Sequence, residues 1–205
     1  MLKESGSLRI LGGFTNGFRT FFTKNRCVKT LSDLKGLKIR VPKNPVMEAY
    51  WKAWGVSPYP VAWSEVFTAI QQGVIDAFDS PIDVILRMGF YQYIKHITLT
   101  HYTPQAAAFI VNNNWFKGLS KADRDLILKA AKDNDKWHYN WIKEDQKTIK
   151  QTLMEKHGIT FCELEDEDVW KKKAKAVWPK LYRYVGGGKA WVDLTLQYKK
   201  THKIK

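Results

Sequence analysis

The sequence predicts an α/β fold with a mixed or parallel sheet. Between residues 37 and 81, short apolar runs of strand length alternate with segments of helical apolar spacing, an order typical of this class. Hydrophobic residues make up 44% of the 205-residue chain, enough for a substantial core and too many for intrinsic disorder. From residue 120, apolar residues recur at helical spacing without Pro or Gly. This pattern predicts a long helix that spans more than one lobe.

The first elements are short. The apolar run 8–11 predicts a strand that ends in a turn-rich segment from residue 12 to 26. Residues 30–36 predict a single helical turn, with Thr30 or Ser32 as its N-cap.

The next segments supply the α/β core. They are a strand in which apolar and polar residues alternate, an amphipathic helix, a short extended piece, a second amphipathic helix and a buried strand. In chain order these elements cover residues 37–41, 45–54, 58–61, 64–73 and 74–78.

The second half contains fewer and longer elements. After a helical or turn-like segment at 82–95 and a strand at 97–100, the apolar run 106–111 predicts a strand buried on both faces. Ser120 is the predicted N-cap of the long helix, which runs to about His157.

A strand and a helix are predicted to close the fold. The strand covers 158–162, and the helix covers 166–185 with a kink at Pro179. Three glycines at 186–188 predict a flexible break before a basic tail.

Charge and motifs exclude several classes of function. The net charge is +14, but the lysines cluster after residue 117 among acidic residues, which is typical of solvated helix faces. The chain has no RNP, zinc-finger, GxSxG, Walker or HExxH motif, so we expect neither a nucleic-acid-binding module nor an enzyme, and no cofactor or metal.

The two cysteines, Cys27 and Cys162, lie outside any zinc-site spacing. Their spacing neither implies nor excludes a disulfide, and two free or buried thiols are the ordinary expectation.

The chain starts without a signal-peptide pattern, which predicts a cytoplasmic location if the sequence is a complete gene product. A sequence beginning within a longer protein gives the same appearance.

An ordered set of motifs resembles the DctP-like solute receptors of TRAP (tripartite ATP-independent periplasmic) transporters. The central motif is DLKGLKIRVP at residues 33–42, and the similarity extends over about residues 8–185. The remaining motifs, in chain order, lie at 17–19, 55–60, 63–76, 79–81, 90–91 and 114–119.

The resemblance implies a periplasmic-binding-protein-like (type II) clamp with mixed sheets and a long lobe-spanning helix. The first lobe would be incomplete, because the similarity begins where relatives pass into their second lobe. We expect an element of the first lobe and crossover, a ligand-gripping lobe, crossing elements and a basic tail. These segments cover residues 1–13, 14–103, 104–185 and 186–205.

The implied function is an extracytoplasmic, periplasmic receptor that binds a small carboxylate and delivers it to membrane permease subunits. One alternative is a truncated or split-gene fragment that needs a missing N-terminal half or pairs with another copy. A basic nucleic-acid-binding protein is a further alternative. The sequence identifies neither the solute nor the oligomeric state.

Five residues form the predicted ligand site. Spacing alone predicts that Arg40 is an exposed strand arginine, whereas the resemblance implies that it holds the ligand carboxylate through its planar guanidinium. By resemblance, Arg19 is a second, loop-borne contact and Trp63 packs on the ligand. Ser80 replaces an asparagine that many relatives carry, and Asp79 would repel a plain acid unless it points away or the ligand carries an amine or hydroxyls.

Overall fold

The computed structural model describes residues 6–202. Its strands are β1 (Leu8–Thr23), β2 (Ile39–Val41), β3 (Tyr59–Pro60), β4 (Ala77–Pro81), β5 (His96–Leu99), β6 (Pro104–Asn112) and β7 (Thr160–Glu163). Its α-helices are α1 (Pro45–Ala53), α2 (Val66–Gln71), α3 (Asp83–Arg87), α4 (Asn113–Gly118), α5 (Lys121–His157), α6 (Glu167–Leu181) and α7 (Gly188–Thr201). Turns of 3-10 helix lie at Leu31–Leu34, Trp63–Glu65, Phe90–Gln92 and Tyr182–Tyr184.

The chain forms two compact units. The first contains residues 6–22 and Asp79–Phe161, and the second contains Thr23–Phe78 and residues 162–202. The boundaries of these units differ from those of the lobes expected from the sequence. The division into lobes stays a prediction. Strand β1 pairs antiparallel with β6 in the first unit, and β2 pairs parallel with β3 and β4 in the second. The predicted α/β class with mixed sheet pairing is confirmed.

The second unit is built on a β-α-β-α-β segment. Strand β2 lies between β3 and β4, with Arg40 opposite Tyr59 on one side and Phe78 on the other. Helix α1 begins where expected because Asn44 accepts backbone hydrogen bonds from Val46 and Met47, at 2.9 and 3.1 Å. A position between two parallel neighbours buries all three residues of β2.

Strand β1 replaces the predicted turn-rich segment 12–26. It pairs with β6 from Leu8 to Phe18, with two register shifts that absorb the glycine-containing stretches, and it continues to Thr23. Gly17 has a φ of +86°, which L side chains rarely adopt, and a Cβ there would require the amide of Gln146 on α5 to move. Bulges of this kind are hard to distinguish from turns in sequence.

The prediction that residues 106–111 are buried on both faces is wrong. Most of β6 is exposed, and the side chain of Ile110 is 53% accessible. A continuous apolar run indicates a buried strand only when other elements cover both faces. Within residues 6–202, that cover is absent over much of this strand.

The long helix is confirmed. Helix α5 spans 37 residues, about 55 Å at 1.5 Å per residue. The Ser120 side chain accepts the Asp123 backbone N–H at 3.1 Å, and Gly158 ends the helix at a φ of +63°. No helix in the described part of the chain is both long and apolar enough to cross a membrane.

Most of the segment expected to be a basic tail is helical. Helix α7 begins at Gly188, and together with α1 and α6 it lines an apolar cavity of about 410 Å³. Trp191, Val192 and Leu196 contribute to its wall, which explains why a basic segment with apolar residues at helical spacing becomes ordered.

Cys27 and Cys162 form a disulfide, so the expectation of two free thiols is wrong. The Cα atoms lie 6.0 Å apart although the residues are 135 positions apart in sequence. Both cysteines belong to the second unit, where β7 returns to the region that follows β1. Such a long-range encounter is a consequence of the fold and leaves no local spacing signal.

Candidate functional site

Arg40 is a buried arginine in the middle of β2. It is 3% exposed, so the expectation from spacing alone, an exposed strand arginine, is wrong. Its Nε donates a hydrogen bond to the carbonyl oxygen of Val61 at 2.9 Å. A guanidinium is seldom buried without a function or a set of partners, because removing a charge from water is costly.

Trp63 lies beside Arg40 in the same unit. The guanidinium carbon of Arg40 is 5.5 Å from the centroid of the Trp63 ring, and that ring meets Phe78 edge-on at 6.4 Å. Trp63 opens a 3-10 turn that leads into α2 and keeps 41% of its surface exposed. The structure thus brings Arg40 and Trp63 together and leaves an accessible indole face next to a buried cation.

Arg19 lies on β1 in the first unit, where its guanidinium is held by three hydrogen bonds. Nε donates to Asp79 Oδ2 at 2.5 Å, Nη2 to the Asp79 carbonyl at 2.5 Å, and Nη1 to Gln105 Oε1 at 2.6 Å. Burial tends to lower the pKa of Arg19, but the hydrogen bond and charge of Asp79 outweigh it and raise the pKa. Arg19 is therefore a fixed cation on a strand, not the predicted loop arginine.

Asp79 is fully buried at the centre of this cluster. Its Oδ2 also accepts a hydrogen bond from the Tyr102 hydroxyl. Burial, followed by the Asp79 charge, raises the pKa of Tyr102 well above 10, so this hydroxyl stays protonated as a donor at neutral pH. Among the described residues, Asp79 Oδ1 has no hydrogen-bond partner.

Ser80 follows Asp79 on β4 and is also buried. Its carbonyl accepts a hydrogen bond from the Thr20 hydroxyl at 3.2 Å, which joins β1 and β4 next to Arg19. Arg19, Asp79 and Ser80 thus lie together in the first unit. Arg40 and Trp63 form a separate pair in the second unit.

Tyr102 and Gln105 are members of the Arg19 cluster that sequence reasoning missed. Tyr102 follows β5 and Gln105 lies on β6. Both are more than eighty residues from Arg19 in sequence, and no motif marks them. Only the backbone pairing in the structure reveals them. The Arg19 backbone N–H donates to the Thr103 carbonyl at 2.9 Å, which places the segment 102–105 against Arg19.

The structure offers no thiolate at Cys27 or Cys162, because the disulfide occupies both sulfur atoms. The geometry of Arg40 and Trp63 suits an anion with an apolar or hydroxylated body. The cluster around Arg19 suits hydrogen-bonding groups rather than bare charge, because Asp79 already balances the arginine.

A protein-family comparison identifies the chain. Residues 2–184 match the model of DctP, the bacterial extracellular solute-binding protein family 7. The chain belongs to this family. A solute-binding protein of Verminephrobacter eiseniae is 42% identical over 142 residues, which is 69% of this chain and 42% of that protein.

Solved structures of family members have the same fold. A TRAP periplasmic solute-binding protein of Desulfovibrio desulfuricans with bound sn-glycerol-3-phosphate has a TM-score of 0.85 and 29% identity, covering 94% of this chain and 62% of the other. One from Polaromonas sp. JS666 bound to D-erythronate has a TM-score of 0.77 and 30% identity, covering 86% and 58%. This family member therefore spans about 40 to 60% of the length of these relatives.

Proposed function

We propose that this chain is the ligand-gripping part of a TRAP solute receptor that binds a small organic acid and delivers it to membrane permease subunits. The observation that carries the proposal is Arg40, a buried arginine in the family's central motif beside the accessible ring of Trp63. A guanidinium holds a carboxylate with two charge-assisted hydrogen bonds. Burial strengthens this interaction because surrounding water screens it less.

Arg19, Asp79 and Ser80 supply the polar contacts of the same function in this proposal. Arg19 uses three of its five N–H groups within the protein, so its orientation is fixed before a ligand arrives. A fixed donor loses little conformational entropy on binding, which favours affinity.

The proposed location is the periplasm. The disulfide between Cys27 and Cys162 supports it, because structural disulfides persist in oxidising compartments and are rare in the cytoplasm. The relatives from Desulfovibrio and Polaromonas are themselves periplasmic solute-binding proteins.

A thermal-shift screen of the purified chain against small organic acids tests the proposal. We expect at least one hydroxylated acid to raise the melting temperature, and Arg40→Ala to abolish that shift, because ligand binding stabilises only the folded state. Arg183→Ala, which removes an exposed arginine of the second unit, is the matched control and is expected to keep the shift. A hit that stabilises Arg40→Ala as strongly as the parent would contradict the assignment.

A further inference from the structure

Helix α7 has a second apolar side besides the one that packs on the second unit. Trp191, Val192 and Leu196 line the cavity against α1 and α6. Trp191, Leu194 and Tyr198 recur at intervals of three and four residues, so they form one stripe along the helix. Their exposed fractions are 57%, 55% and 56%. The stripe lies about a quarter of a turn away from the cavity-lining side, at the 3.6 residues per turn of an α-helix.

The turn before α7 adds further exposed apolar side chains. Tyr184 and Val185 are 46% and 39% exposed. The guanidinium carbon of Arg183 lies 4.9 Å from the centroid of the Tyr184 ring, and its Nη2 donates to the Tyr184 hydroxyl at 3.0 Å. A cation and an aromatic ring are thus held side by side directly before the helix.

This part of the second unit is also strongly cationic. Between residues 171 and 202 the chain has nine lysines and arginines and one acid, Asp193, which gives a net charge of +8. All nine cations are exposed. More than half of the net charge of +14 therefore falls within this stretch.

The acids closest in sequence lie at the far end of α6. Asp166, Glu167 and Asp168 are at its first turn, and Glu167 forms an ion pair with Lys171 at 3.1 Å. Helix α6 has 15 residues, so its first turn is about 20 Å from the turn that leads to α7. At physiological salt, charges at that distance are largely screened.

On α7 itself, two lysines project from the side opposite the apolar stripe. Counted at about 100° per residue, Lys189 and Lys200 lie across the helix from Leu194 and Tyr198. Helices with tryptophan and leucine on one side and lysines on the other bind in the plane of a membrane interface. Their apolar side enters the boundary between headgroups and acyl chains, and the long lysine side chains reach lipid phosphates.

Apolar character and charge together select the partner. A nucleic acid offers phosphates to the lysines, but it offers little to exposed leucine side chains such as Leu194. A surface of anionic phospholipid offers both phosphates and an apolar boundary layer. Near such a surface each lysine adds to the affinity, and indole and phenol rings are favoured at headgroup level.

We propose that α7 and the turn before it form a docking surface for a membrane rich in anionic phospholipid. Trp191, Leu194 and Tyr198 enter the headgroup region, and the cations of residues 171–202 bind lipid phosphates. The docking surface lies wholly within the second unit and contains no residue of the candidate solute site. The inference therefore goes beyond the proposed function and does not depend on Arg40.

Cosedimentation of the full chain with vesicles tests the docking surface. One set of vesicles contains phosphatidylcholine alone, and the other also contains about 30 mol% phosphatidylglycerol. At about 0.1 M salt we expect the chain to bind the anionic vesicles at least about tenfold more strongly than the neutral ones. At about 1 M salt this preference should disappear, because the screening length falls from about 10 Å to about 3 Å.

Leu194→Ser with Tyr198→Ser tests the apolar stripe. Neither residue lines the cavity, so the packing of α7 on α1 and α6 is retained. We expect binding to anionic vesicles to fall by at least about tenfold. Leu126→Ser with Tyr139→Ser is the matched control, because these residues of α5 are 65% and 58% exposed. It is expected to bind like the parent.

Lys199→Gln with Lys200→Gln tests the charge at positions that are exposed. We expect a loss of at least about tenfold for the anionic vesicles. Lys132→Gln with Lys136→Gln removes the same net charge from exposed positions of α5 and is expected to change binding by about threefold or less.

The possible results separate the alternatives. A parent chain that does not bind anionic vesicles at low salt, or that binds both vesicle types equally, refutes the docking surface. Losses as large in the α5 variants as in the α7 variants also refute it, because the binding then lies elsewhere. A parent chain that binds duplex DNA but no vesicles would assign the surface to nucleic acid. In every case the solute-induced thermal shift should persist in Leu194→Ser with Tyr198→Ser, so the proposed function is tested separately.

Discussion

Arg40 and Arg19 are placed by different means. Arg40 gains its position from a central parallel strand that leaves it 3% exposed, next to an indole ring. Arg19 is positioned by three hydrogen bonds, in which its guanidinium nitrogens donate to the carboxylate and the backbone carbonyl of Asp79 and to the side-chain amide of Gln105. The first arrangement buries a guanidinium beside an aromatic ring, and the second orients a donor whose charge is balanced by a carboxylate.

Tyr102→Phe measures how much the Arg19 cluster contributes to folding. The change removes the hydroxyl that donates to Asp79 Oδ2, and Asp79 cannot recover that bond from water because it is buried. We expect the free energy of unfolding to fall by about 1–3 kcal/mol in urea denaturation. Tyr59→Phe, at a 43% exposed tyrosine, is the control and should change it by about 0.5 kcal/mol or less. Equal effects of the two changes would refute the account of the cluster.

Asp33 makes stability depend on acid pH. Its carboxylate accepts the backbone N–H groups of Thr30 at 2.8 Å and Lys29 at 2.9 Å, and these bonds lower its pKa. A lowered folded-state pKa means that the stabilisation is present above the unfolded value of 3.8 and is lost as pH falls through the folded value. We expect the parent to exceed Asp33→Asn in unfolding free energy at pH 7, and the difference to shrink by pH 3. A difference that stays constant between these pH values would contradict this.

At the level of elements, sequence patterns predicted those structures whose signals are local. The turn at residues 31–34, helix α1 and helix α5 all have a capping residue and a stop signal within their own segments. Strand β1 and helix α7 were misread because their order depends on partners elsewhere in the chain. β1 extends through glycines by pairing with β6, and α7 orders against α1 and α6.

The disulfide shows most clearly what residue spacing cannot predict, namely which residues the fold brings into contact. Cysteine pairing across 135 positions depends on where the fold brings Cys162. The candidate site shows the same limit, because the resemblance supplied Arg40 and Arg19 but not the residues that hold Arg19. Tyr102 and Gln105 reach it only through the strand arrangement.

Removal of the disulfide tests its contribution to the second unit. We expect Cys27→Ser with Cys162→Ser to lower the free energy of unfolding by about 2–5 kcal/mol, because the closed loop restricts the unfolded chain. Reduction of the parent with dithiothreitol should give a similar loss. Dithiothreitol should have no effect on the double variant, and a parent that is insensitive to reduction would contradict the assignment.

Helix α6 is anchored by a tryptophan pair. Trp170 is 3% exposed, its ring lies 4.9 Å from that of Trp54, and its Nε1 donates to Asp166 at 2.7 Å. Trp170→Ala is expected to lower the unfolding free energy by about 3–5 kcal/mol. Tyr198→Ala, at a 56% exposed aromatic residue of the same unit, is expected to cost about 1 kcal/mol or less. Similar losses for the two substitutions in chemical denaturation would refute this packing.

For the molecule as a whole, large apolar side chains are exposed in both units. In the first unit, Ile110 and Trp115 are 53% and 52% exposed, and Phe109 beside them is 41% exposed. The relatives extend well beyond the region that this chain matches, since the chain covers 42% of the Verminephrobacter protein.

The central claim concerns one interaction, the grip of Arg40 on a ligand carboxylate. A cycle that pairs the acid with the largest thermal shift and its carboxamide with the parent chain and Arg40→Ala isolates that interaction from all others. By calorimetry, we expect the parent to bind the acid at least about a hundredfold more tightly than the amide, since a buried charge-assisted pair is worth several kcal/mol. In Arg40→Ala the acid and the amide should bind with nearly equal affinity. A preference for the acid that survives in Arg40→Ala would show that another residue holds the carboxylate.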